Sequence, residues 1–214
     1  MTHLAVAKEI NDILNIANDL PRYFMGAIAP DSVHFRENYH SDMKKKSHYI
    51  TGLKPWGTID SVEECDEWLA CVMPKIREKR PHSDYYMGYL IHILTDVWNT
   101  RENFIYYGEW CTRENIPKDA YYNEQVHFDV AFYHTAPWRK EIWSHLAKAQ
   151  GEAVTGISEA EEAEKYRDFV LRACSDGIRK QSYSKTRMTF DDNIEFIKRS
   201  ADEIARILSE GQFS

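Results

Sequence analysis

The stretch Gly-Tyr-Leu-Ile-His-Ile-Leu-Thr-Asp, residues 88–96, sets His92 and Asp96 four positions apart inside a run that is almost wholly apolar or aromatic. On a helix turning about 100° per residue, Tyr85, Tyr89, His92, Asp96, Asn99 and Asn103 fall within one narrow stripe. Leu90, Ile91, Ile93, Leu94, Val97 and Trp98 fill the remaining circumference, and no Lys, Arg or Glu occurs from Tyr85 to Thr100. A helix that is apolar nearly all round is a buried one. Its polar stripe is therefore not its wet face, and the rest of the chain must fold around it.

The rest of the chain supplies helices to do so. Val6, Ile10, Ile13, Leu14 and Ala17 form one stripe. Val62, Cys65, Trp68, Leu69 and Val72 form another, after an N-cap at Asp60 or Ser61. Further helices are expected over 83–103 and 120–133, after Pro137, after a Ser158 cap, and through Ile194, Ile197, Ala201, Ile204 and Leu208. The best strand-like alternation is Phe-Ile-Tyr-Tyr-Gly-Glu-Trp at 104–110. The expected fold class is all-α, one multi-helix bundle domain spanning 1–214, with a long irregular loop near 30–59. A loop of that length inside a compact domain tends to carry function.

Composition narrows the classes. With 43% hydrophobic residues the 214-residue chain can bury a sizeable core, and no run approaches the roughly 18 apolar residues of a membrane span. A net charge of −7 argues against nucleic acid or an anionic membrane as partner. Lys44, Lys45 and Lys46 are a local exception that reads as a solvated face, or as phosphate-binding groups should the loop fold over a site. The start shows no basic region followed by a long apolar stretch, so a cytoplasmic protein is expected. Cys65, Cys71, Cys111 and Cys174 show no CxxC pairing and are expected to be reduced.

A buried aspartate needs a partner, because isolated charge in low dielectric is costly. A divalent metal serves Asp96 and His92 together, and the bland alternative is a private His–Asp hydrogen bond. The 30–59 loop offers Asp31, after a proline that fixes the backbone, together with His34, His40 and His48. His40 reads as an idle loop histidine, and His3 opens the first helix.

In order, Thr2-His3, Gly26-x-x-x-Pro30-Asp31, Ser47-His48 and Gly88-Tyr89-x-x-His92-x-x-x-Asp96 resemble the zinc-dependent phospholipase C family, whose fold single-strand-specific nucleases share. The resemblance covers about the first 100 residues. It implies an all-α hydrolase of phosphoesters built on a zinc cluster. Residue by residue, it makes Asp31, His48 and His92 ligands of one zinc. Asp96 then bridges to a second zinc, which His3 also binds, and Asp31 doubles as general base or as the group orienting the attacking water. The family's further histidine after the bridging aspartate and its His-x-x-x-Glu pair, the ligands of a third zinc, have no counterpart here. Glu102 stands near the first of these positions. One or two zinc ions are therefore expected. His127 and Asp129 are candidates to complete a rearranged site, and Tyr85 and Tyr89 to bind a small phosphoester substrate.

Two other classes remain open on the residues alone. Glu37-x-x-His40 and Glu124-x-x-His127 match the motif of di-iron carboxylate bundles. A non-enzymatic helical domain with a structural metal is the other, and its closed coordination sphere would set it apart from an enzyme.

Overall fold

Gly26 and Gly88 face each other where two helices cross so closely that a Cβ on either would lie 1.9 or 2.0 Å from a backbone carbonyl oxygen, of Tyr85 and Tyr23 respectively. Only glycine permits that approach, and it fixes the centre of the molecule. The computed structural model describes residues 1–50, 57–78, 83–176 and 186–210, with 174–176 described as backbone. Among these residues the fold is all-helical, a single multi-helix bundle with no strand and one isolated bridge between Val154 and Ser158.

The crossing helices are α2 (Leu20–Gly26) and α5 (Asp84–Asn99). The latter starts at Ser83, whose side chain accepts from the Tyr86 amide, and twelve of its residues are buried, Leu90, Ile91 and Leu94 completely. It packs against α1 (Thr2–Leu14), α4 (Val62–Glu78) and α10 (Phe190–Glu210) as well as α2. A 3-10 helix (Ala29–Phe35) and α3 (Ser41–Ser47) lie between α2 and α4. After α5 come α6 (Ile105–Glu114), α7 (Ala120–Thr135), α8 (Arg139–Lys148) and α9 (Ala160–Asp176). No helix among the described residues is long and apolar enough to cross a membrane.

Several sequence expectations need correction. The 30–59 segment is not one irregular connection: Pro30 opens the 3-10 helix, α3 follows, and 51–56 lie outside the described residues. Residues 104–110, the most strand-like stretch of the sequence, are helical in keeping with the all-α expectation; Tyr107 and Cys111, one turn apart, pack with Ala120 and Tyr121 in a satellite core. The 83–103 helix turns into a π turn at Thr100–Phe104, which runs directly into α6. The first helix stops at Leu14 because Asn15 adopts φ 49°, so Ala17 lies beyond it and Ile13 stays 50% exposed. Ser61 rather than Asp60 caps α4, accepting from the Glu64 amide. Ser158 pairs through its backbone with Val154, and α9 begins at Ala160.

Candidate metal centre

Four elements deliver five side chains to one spot. His92 and Asp96 come from the middle of α5, His3 from the first turn of α1, Asp31 from the 3-10 helix, and His48 caps the C-terminus of α3. His48 and His92 are 0% and 1% exposed, and the side chains of Asp31 and Asp96 are 17% and 13% exposed. His48 Nε2 lies 3.6 Å from Asp31 Oδ1 and 3.2 Å from Asp96 Oδ2. His92 Nε2 lies 3.8 Å from Asp31 Oδ2 and 3.7 Å from Asp96 Oδ2. His3 Nε2 meets Asp96 Oδ1 at 2.9 Å.

Second contacts fix which nitrogen is free to act. His92 Nδ1 lies 2.8 Å from the Ala27 carbonyl, and His48 Nδ1 lies 3.0 Å from the Lys44 carbonyl. A carbonyl only accepts, so each Nδ1 carries the hydrogen and each Nε2 faces the carboxylates. Burial, then the neighbouring His3, lowers His92 to about 3, so its ring is neutral at ordinary pH. Its Nε2 is then a bare lone pair, buried and without a hydrogen-bond partner, aimed at two carboxylates. Acceptor against acceptor is unfavourable unless a cation lies between them. The donor set of imidazole nitrogen and carboxylate oxygen is one that zinc accepts. The chain's own groups thus fit a metal.

The carboxylates are prepared for the same role. Burial opposes the ionisation of Asp31, but Lys44, then His92 and His48, outweigh it and hold the carboxyl below its usual range. Burial is likewise outweighed at Asp96 by His3, through both charge and hydrogen bond, and by His48 and His92. Among the described residues, two groupings have potential ligand atoms within 4.8 Å of one another: Asp31 with His48 and His92, and Asp96 with His3 and His92. His92 appears in both, yet it has a single lone pair to give, because Nδ1 is committed to Ala27.

Two cavities flank the cluster. One of about 240 Å³ is lined by His3, Asp31, Lys44, Asp96, Asn99 and Tyr122 among others. The second, about 510 Å³, runs past His34, Phe35, Asp129, Tyr166 and Phe169. All five side chains that the sequence marks as candidate ligands come together in those two groupings. Asp129 reaches both cavities, but His127 is exposed on the same helix, and Glu102 pairs with Arg199 at 3.2 Å. His40 is exposed, near only Asp42 at 3.9 Å. Glu37 is exposed, and Glu124 accepts from the Tyr107 hydroxyl at 2.6 Å, so neither Glu-x-x-His match lies in the cluster.

Tyr85 and Tyr89 are 2% and 0% exposed and sit behind the ligands, Tyr89 donating to the Ser47 carbonyl at 2.7 Å. Sequence reasoning passed over the groups that orient the cluster. Trp68 Nε1 donates to the His48 carbonyl at 2.8 Å, and the Tyr166 hydroxyl stands 3.5 Å from Asp31 Oδ2. The run of three lysines divides: Lys44 is buried with its Nζ 2.8 Å from Asp31 Oδ1, while Lys46 is exposed.

Comparison of the sequence with protein-family models and with curated proteins, and of the fold with solved structures, found no match.

Proposed function

We propose that this all-helical protein is a zinc-dependent phosphoester hydrolase, as its resemblance to the zinc-dependent phospholipase C family suggests. The observation that carries the reading is the neutral, buried Nε2 of His92 facing Asp31 and Asp96 beside two open cavities. Asp31, His48 and His92 would hold one ion. Asp96 would lie between that ion and a second held with His3, its single negative charge easing the repulsion of two cations. Because His92 can serve only one ion, Asp96 and His3 would hold the second, a small donor set that would suit a catalytic rather than a structural role. Bound zinc supplies a Lewis acid and lowers the pKa of a coordinated water from about 15.7 towards 7.

The chain's residues do the rest. Asp31, its oxygen Oδ1 on the Lys44 ammonium, has little affinity for a proton. That favours orienting the attacking water over acting as its general base. Ala27, Lys44, Ser47 and Trp68 hold the imidazoles in place through His92 Nδ1, His48 Nδ1 and the His48 carbonyl.

Elemental analysis of the protein as purified, after chelation and after zinc is restored tests the reading, alongside a panel of small phosphoesters. One or two zinc ions per chain and hydrolysis that follows the zinc are expected. A chain that takes up no transition metal overturns the reading, and iron near two per chain replaces it with the di-iron alternative.

A further inference from the structure

Lys44 is 8% exposed, in contrast to Lys46 two residues on, and burial of an ammonium is costly unless its charge is used. Lys44 is among the residues that line the 240 Å³ cavity, with His3, Asp31 and Asp96, and its Nζ lies 2.8 Å from Asp31 Oδ1. Position along the chain makes this placement firm. The Lys44 carbonyl accepts from His48 Nδ1 and from the Ser47 hydroxyl, while its ammonium holds Asp31 at 2.8 Å. One residue thus spans two of the ligands, and its charge cannot drift from the cluster.

We infer that Lys44 binds a terminal oxygen of the substrate's phosphoryl group and makes the site select phosphomonoester dianions over phosphodiesters. The inference rests on the zinc-hydrolase reading above. It begins from a buried cation: Lys44 is ion-paired with Asp31 at 2.8 Å in the lining of a cavity that Asp96 and His3 share. The Lys44 ammonium is a fixed positive charge beside Asp31, where phosphate would sit.

Charge then decides the substrate class. Asp129 in the same lining is offset by the Met1 ammonium 2.9 Å away, so two divalent ions against Asp31 and Asp96 would leave an excess of two positive charges, which a diester monoanion together with hydroxide would cancel. Lys44 adds one more, matched by the second negative charge of a monoester, which is largely dianionic above its second pKa near 6. An ammonium is a compact point charge with several donors, suited to one oxygen rather than to a planar fork. From an ammonium as buried as that of Lys44 such a contact is stronger than at the surface.

The test uses the full chain loaded with zinc, comparing wild type, Lys44→Met and Lys44→Arg. Zinc content is measured first, then inorganic phosphate binding by calorimetry at pH 8, then kcat/KM on a matched phosphomonoester and phosphodiester. Wild type should prefer the monoester. Lys44→Met should keep its zinc, bind phosphate about tenfold or more weakly, as loss of one charge-assisted contact implies, and lose that preference. Lys44→Arg, which keeps the charge but not the compact ammonium, should recover part of the phosphate affinity. Undiminished phosphate binding by a zinc-replete Lys44→Met, or an equal loss on both esters, overturns the inference and leaves the hydrolase reading standing. A wild-type preference for the diester overturns it even if Lys44→Met does not fold. Wild type that holds no zinc overturns both, and the elemental analysis reveals that before phosphate is added.

Discussion

His3 lies flat against His92, ring centroids 3.7 Å apart and planes 7° from parallel, while its Nε2 reaches across to Asp96 Oδ1. The docking of α1 on α5 and the second half of the candidate centre are thus one feature. Helix α1 also buries Leu4, Val6, Ala7 and Ile10 on the same side, so His3 is positioned by an apolar face that would form without it.

Loss of the His3 imidazole should therefore empty one half of the centre and spare the fold. His3→Ala is expected to lose about one zinc per chain while the helical content stays that of wild type. His40→Ala should change neither, since His40 is exposed and outside the cluster. Elemental analysis and far-ultraviolet circular dichroism read both outcomes. Full zinc content in His3→Ala would remove His3 from the ligand set.

The α2–α5 crossing yields a stability prediction that reaches the site. Gly26→Ala would drive a methyl against the Tyr85 carbonyl, backbone that cannot step aside. The expected cost is about 3 kcal/mol, the upper end of ordinary overpacking, or roughly 6–12 °C in melting temperature for a domain of this size. Zinc affinity should fall with it, because Ala27, the next residue, orients His92. Gly108→Ala makes the control: its Cβ would meet only the end of Lys118 at 3.6 Å, so removing a mid-helix glycine should be neutral or stabilise by about 0.5–1 kcal/mol.

What was legible in the sequence was what periodicity and chemistry write locally. Helix α5 announced itself because its apolar circumference is nearly complete, and His92 and Asp96 because they interrupt it. The 3-10 helix and α3 did not, since seven residues are too few to display a period. Residues 104–110 are the most strand-like stretch because aromatic and β-branched residues crowd there, yet it is the spacing of Tyr107 and Cys111 against Tyr121 that decides. His3, Asp31, His48, His92 and Asp96 could be picked out from a resemblance carried by residue types in order, and the fold brings these side chains together. The contact of Lys44 with Asp31 is set by the turn of α3 that points it there, a tertiary fact.

Tyr89 shows the same limit. On the wheel it shares the ligand stripe and looks available to substrate, but its hydroxyl donates to the Ser47 carbonyl behind His48. Tyr89→Phe should cost about 1 kcal/mol for the buried hydrogen bond and leave KM for a phosphoester unchanged. Thermal denaturation and initial-rate kinetics would check this pair of outcomes, and a raised KM with unchanged stability would return Tyr89 to the substrate.

Thiol chemistry offers a test of the core that does not involve metal. Burial pushes the Cys65 thiol up to about 11, and Cys111 is also raised by burial. Thiolate is the reacting form, so at pH 8 Cys65 should resist alkylation in the folded chain, while half-buried Cys71 is labelled first. Mass spectrometry of the labelled peptides reads this directly. Because the folded value lies above the unfolded one, Cys65's contribution to stability is intact below about pH 9 and is lost as pH rises through 11. Cys174 has no described side chain and is left out of the comparison.

The most discriminating substitution is Asp96→Asn. Asparagine preserves shape and size and removes the negative charge that stands 2.9 Å from His3, 3.2 Å from His48 and 3.7 Å from His92. If that charge holds two cations close together, zinc content and phosphoester hydrolysis should fall together in Asp96→Asn. The metal-free protein should be affected differently. Asp96 there accepts from His3, and the amide can still accept one hydrogen bond, so the loss of stability after chelation should stay within about 1–3 kcal/mol. A private His–Asp hydrogen bond with no metal predicts that same loss of stability with zinc content unaltered. Elemental analysis and melting temperatures, measured with and without chelator on wild type and variant, separate the two. Full zinc occupancy in Asp96→Asn would mean that Asp96 is not the bridging ligand and that the two halves of the centre must be drawn again.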